Sequence, residues 1–341
     1  MILSLPVLVS FAATLSACST AYVAPPQPEL LAGLTEAETA DTAVAERFDT
    51  GADSAAANGD EATPACTEYA EPAQSGTVVD AALNEISGLA ASRKNPGVLW
   101  VLEDHLAPNE VIAIDTLGNT LGRVVLDGTI NNDWEDLAVG PCGEDECLFV
   151  GEIGDNSHDR LWHGVYRFPE PSVDLAGGLD LTVTAELFEY SYPDGQYDAE
   201  AMAILPDGRP VLFTKEYDTD LSTAYSFPTL DTASIAVLSR HGRFATGSGT
   251  EGGGAAVTGA SLWASGDSLL IRTYGHVWEF QLESPDSSGL DNLPYAERTE
   301  LYTGSERQGE SIGHDPLSRG FFTVSEDVNP PLWFSDCDEG G

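Results

Sequence analysis

Past residue 65 the chain is built from short apolar runs of alternating spacing, broken by Gly, Pro, Asp and Asn. Val98–Leu102, Val111–Ile114, Leu148–Val150, Val211–Thr214, Leu269–Thr273 and Phe321–Val324 are strand-sized and rich in β-branched and aromatic residues. No long helical periodicity is present, so the pattern predicts an all-β domain of many strands. One short unit returns five times as hydrophobic or small, polar, small, hydrophobic. Its copies are Ile86-Ser87-Gly88-Leu89, Trp134-Glu135-Asp136-Leu137, Ala199-Glu200-Ala201-Met202, Val257-Thr258-Gly259-Ala260 and Gly309-Glu310-Ser311-Ile312. From polar residue to polar residue the steps are 48, 65, 58 and 52 residues, the size of a propeller blade. The expected fold is a five-bladed β-propeller, with a sixth blade only if the 65-residue step conceals one. The last unit leaves 27 residues before Cys337, enough for about three strands, so Gly76–Asp80 is expected to add the outer strand and close the ring.

The start of the chain has a different pattern. Residues 1–17 are apolar and small, too short to span a bilayer with flanks, and read as an export signal. They end in Leu15-Ser16-Ala17-Cys18, which resembles the junction of bacterial lipoprotein signals. That resemblance implies a lipid on Cys18 and, with Ser19 next, anchoring at the outer membrane of a Gram-negative cell; a plain cleaved signal or a membrane stub is the alternative. Residues 18–65 are Ala, Glu, Asp, Thr and Pro with few aromatics, an acidic tether that cannot bury enough apolar surface to fold. The propeller is expected over 66–338.

Charge narrows the partners. The sequence holds 14 Lys plus Arg against 56 Asp plus Glu, a net of −42, which excludes ordinary nucleic-acid or anionic-lipid binding. Membrane attachment is then expected only through the lipid, and most of the acids read as solubilising. Of five Cys, four remain if Cys18 is lipidated, which suits two disulfides in an oxidising compartment. Three pairings are open; Cys142 and Cys147 flank one turn and can staple it, leaving Cys66 for Cys337.

In a propeller the first strand of each blade lines the central channel, so Ser87, Glu135, Glu200, Thr258 and Glu310 are expected to converge there. Three carboxylates on one axis repel unless protonated or neutralised by a cation. An all-oxygen donor set suits Ca²⁺ or hydrated Mg²⁺ and disfavours zinc. Second strands return to the same rim and bring Glu103, Asp104, Glu152, Asp155, Asn156, Lys215, Glu216, Arg272, Glu326 and Asp327, with Arg160 as a further basic candidate. None of the 6 His sits in a metal-spaced pair, and no GxSxG elbow occurs, so serine-hydrolase chemistry is not expected.

The strings NEISGLAASRKNPGVLWVLED, NDWEDLAVG, GEIGDN, YDAEAMAILPDG, VTGASLW, IRTY and QGESIG resemble a widespread group of secreted bacterial β-propellers of unestablished activity, across nearly all of residues 84–330. More remotely, the polar ring is similar to five-bladed calcium-activated nucleotidases (apyrases), in which Ca²⁺ occupies the channel. Phytase-like and SdiA-regulated propellers are other distant likenesses. Two functions follow as expectations. One is a calcium-binding surface module, a monomer that recognises a glycan, peptide or protein through its rim. The other is a Ca²⁺-dependent phosphoester or nucleotide hydrolase, with the glutamates holding metal or activating water and Lys215 and Arg272 clamping phosphate.

Overall fold

The computed structural model describes residues 66, 68–247 and 254–338; the expected signal, Cys18 and the acidic tether lie outside them. Five sheets stand in a ring, each starting with the strand that carries the repeated unit. These inner strands are Ile86–Ala91, Trp134–Cys142, Ala199–Ile204, Val257–Leu262 and Gly309–His314. Each packs on the next, and the fifth packs back on the first. Small residues permit that approach: a Cβ on Gly88 would lie 2.7 Å from the Leu137 nitrogen, and one on Gly259 would lie 2.8 Å from the Glu310 carbonyl oxygen.

The first two strands of each blade are buried on both faces, and their side chains alternate between them, so the apolar core is divided among the spaces between blades. In Val98–Glu103, Val98, Trp100 and Leu102 meet Trp134, Leu148 and Phe168 of the second blade. Leu99 and Val101 turn the other way, to Phe322, Val324 and Leu332 of the fifth. Similar clusters fill the remaining three spaces. Helix is confined, among the described residues, to Ser287–Asp291 and a 3₁₀ turn at Leu293–Tyr295, and no described helix is long and apolar enough to cross a membrane.

The ring closes through both chain ends. Ala73–Thr77 pairs antiparallel with Pro331–Ser335 and forms the outer strand of the fifth blade. This strand lies three residues before the expected Gly76–Asp80, because the Thr77 N–H already turns to the Leu117 carbonyl and buried Val78 enters the core. Cys66–Cys337 and Cys142–Cys147 are both disulfide-bonded. The long second interval contains no sixth blade: Leu179–Val183 crosses back and pairs in parallel with Thr120–Leu126 at the outer edge of the first blade.

Candidate functional site

In all five blades the pairing of first and second strands slips at the repeated polar residue. Ile86 faces Glu103 and Gly88 faces Leu102, leaving Ser87 over; Glu135, Glu200, Thr258 and Glu310 are left over in the same way. Such β-bulges re-aim the extra side chain. Here four of the five, Ser87, Glu135, Glu200 and Glu310, line one polar cavity of about 220 Å³. Thr258 does not line it, since its hydroxyl donates to the Gly309 carbonyl at 2.8 Å and is fully buried.

Of the rim residues, Asp104, Asn156, Lys215 and Glu326 also face the cavity. Its single described cation is Lys215, which pairs with Glu200 and stands over the rings of Tyr217 and Tyr274 at 4.9 and 5.0 Å. Burial works against the Lys215 charge, but Glu200 and Tyr274 outweigh it and hold its pKa above the ordinary lysine value. Gln308 donates to Glu310 at 2.8 Å and also to Glu326. The Ser87 hydroxyl donates to Glu135 at 3.2 Å.

The other rim residues serve neighbours. Glu103 accepts from the Glu85 N–H at 3.1 and 3.2 Å. Glu152 pairs with Arg160, and Glu216 with Arg243. Asp155 accepts the backbone N–H of Asp159 and lies 3.3 Å from His163. Asp327 accepts from the Val328 N–H at 2.8 Å, a turn contact. Arg272, 1 % exposed, meets Glu306 at 2.8 Å between the fourth and fifth blades and does not line the cavity.

Six acidic residues, Glu85, Asp104, Glu135, Glu200, Glu310 and Glu326, thus border a small space with one ammonium. Like charges about 5 Å apart repel by roughly 3 kcal/mol at an effective dielectric of about 20. Glu135 is accordingly pushed well above its usual range by burial and by Glu200, Asp104 and Asp133. Burial raises Glu310 to about 8. Just outside the cavity, burial lifts Glu103 to about 7 and Asp133 to about 6. A carboxyl whose folded pKa is raised binds more protons native than unfolded, so its penalty is absent below the ordinary 4.5, grows as pH rises, and is complete above about 8 for Glu310. In chelator, the melting temperature is therefore expected to fall as pH rises from about 4.5 to 8. A flat or rising curve contradicts this charge balance.

Three participants escaped sequence reasoning. Asp136, fully buried, accepts backbone N–H groups from Leu137 at 2.7 Å, Met202 at 2.7 Å and Ala260 at 3.3 Å, so it ties three inner strands together. Tyr217 and Tyr274, joined hydroxyl to hydroxyl at 3.2 Å, wall the cavity beside Lys215. Their signal was present in the chain: each stands two residues past a basic residue at or just after the end of its second strand, in KEY and RTY.

No protein-family model matches the sequence, and no curated protein matches it. Among solved structures, the fold is similar to the major allergen Mala s 1 of Malassezia sympodialis, at 10% identity over 76% of this chain and 95% of that one, with a TM-score of 0.50. The Myceliophteria thermophila Cps50 (Swd1) β-propeller domain matches at 10% identity over 74% of this chain and 84% of that one, with a TM-score of 0.38. Virginiamycin B lyase from Staphylococcus aureus matches at 12% identity over 75% and 82%, with a TM-score of 0.36. At these identities the likeness concerns the fold alone, and the sheets themselves establish that fold as a five-bladed β-propeller.

Proposed function

We propose that the bulged end of the channel holds a hard divalent cation, Ca²⁺ by donor type, and that the propeller is a cation-dependent recognition module. The observation that carries this reading is the excess of carboxylates over ammonium in a cavity of about 220 Å³. Its remaining donors are also oxygens, from the Ser87 hydroxyl and the Asn156 and Gln308 amides. Glu135 and Glu310 are the principal anionic ligands, with Ser87 beside Glu135; Glu200 is engaged by Lys215. When bound, the ion supplies a positive centre with coordination positions that oxygen atoms of a ligand can take. Around the cavity, rim loops expose Leu106, Ile130, Leu161, Tyr217 and Val328, which offer apolar contacts to a glycan, peptide or protein.

The hydrolase reading lacks its clamp, since Arg272 is buried against Glu306 and Lys215 is held by Glu200 between two tyrosines. For location, we propose an exported lipoprotein anchored through Cys18 at an outer membrane, with which the two disulfides are compatible. Strand direction sets Cys66–Cys337 at the end of the fifth blade remote from the bulges, so the cavity faces away from the point where the chain enters.

Thermal melting in Ca²⁺ and in chelator tests the reading. At about 100 times the dissociation constant, Ca²⁺ is expected to add roughly 2.7 kcal/mol, and Glu310→Gln is expected to lose most of that gain. Identical melting with and without Ca²⁺ removes the cation.

A further inference from the structure

The channel has a second end, opposite the bulges, and its chemistry is different. Near the far ends of the five inner strands, residues from all of them enclose a cavity of about 90 Å³. Leu89, Leu137, Val139, Ile204 and Leu262 give it aliphatic walls, and no described carboxylate lines it. Arg93, Ser261 and His314 also line it, with the Trp263 ring packed edge-on against the imidazole at 5.6 Å.

Two of these groups have hydrogen-bonding capacity that the protein does not use. Ser261 Oγ accepts the His314 backbone N–H at 3.0 Å and lies 3.0 Å from His314 Nδ1. The hydroxyl has a single hydrogen, and giving it to Nδ1 leaves the proton of the neutral ring on Nε2. Burial presses the His314 pKa down to about 3, so the ring is uncharged at neutral pH. The residue is 8 % exposed, and Nε2 is buried with no hydrogen-bond partner among the described residues. A buried donor in that state calls for an acceptor. Arg93 is the second group. Its described ion-pair partner, Glu146, stands at 3.5 Å, beyond ordinary N–H···O length, so its guanidinium fork has donors to spare.

The geometry points to a binding site for a short aliphatic carboxylate, with its branched alkyl end among the aliphatic walls and its oxygens on Arg93 and His314. The guanidinium supplies the charge that a carboxylate needs on leaving water, and the neutral ring N–H supplies a further donor. Size narrows the class: an apolar cavity of roughly 150 Å³ takes benzene, so one of about 90 Å³ suits a branch of roughly three or four carbons better than an aromatic ring. The site stands apart from the proposed cation, at the other end of the inner strands, and does not depend on it.

NMR titration of the ¹⁵N-labelled protein with isobutyrate, read at the His314 ring nitrogens, tests this. Isobutyrate is expected to move Nε2 saturably, with half-saturation at about 1 mM or below, alike in Ca²⁺ and in chelator. Isobutyramide, of the same shape without the charge, is expected to bind at least about ten-fold more weakly. Arg93→Gln is expected to weaken isobutyrate to a similar extent while the amide spectrum stays that of the folded protein, and Arg93→Lys is expected to recover part of the loss. A shift that grows without saturating, equal affinity for acid and amide, or wild-type affinity in Arg93→Gln overturns the site.

Discussion

Asp136→Ala is expected to destabilise the propeller by about 3–5 kcal/mol, measured by denaturant unfolding. The carboxylate is fully buried and accepts N–H groups from Leu137, Met202 and Ala260, on the second, third and fourth inner strands. Burial raises its pKa well above the usual range, against the pull of these three donors. Alanine leaves the donors without an acceptor and out of reach of water, and each orphaned group costs about 1–3 kcal/mol. Asn keeps the volume and one acceptor oxygen, so it is expected to lose less. Stability within about 0.5 kcal/mol of wild type for the alanine variant would show that the channel floor is held by something else.

The second large effect is at the closure. Removing Cys66–Cys337 as the double serine variant is expected to cost about 2–5 kcal/mol, because the bridge spans 271 residues and secures the chain end that feeds the outer strand of the fifth blade. The melting midpoint of the double variant in oxidising buffer measures this. An unchanged midpoint means that the strand ladder alone holds the ring.

The ring was legible because its geometry constrains every blade alike. An inner strand must be small to approach its neighbours and polar where it meets the cavity, and that pair of demands recurs at blade intervals from Ser87 to Glu310. The bulge that turns those residues inward was not legible, because it exists only in the pairing with the second strand. Thr258 and Arg272 match their counterparts in type but not in role. Their partners, Gly309 and Glu306, lie at or just before the start of the fifth inner strand, where no periodicity guides the eye. Asp136 was hidden in the slot that other blades fill with Gly, Ala or Ser.

A crystal structure grown with Ca²⁺ and recorded with anomalous scattering tests the central claim most directly. The prediction is a peak in the cavity at oxygen-ligand distance from Glu135 and Glu310, with Lys215 still on Glu200. Water alone in that space, with the cavity carboxylates bonded to one another through shared protons, contradicts it.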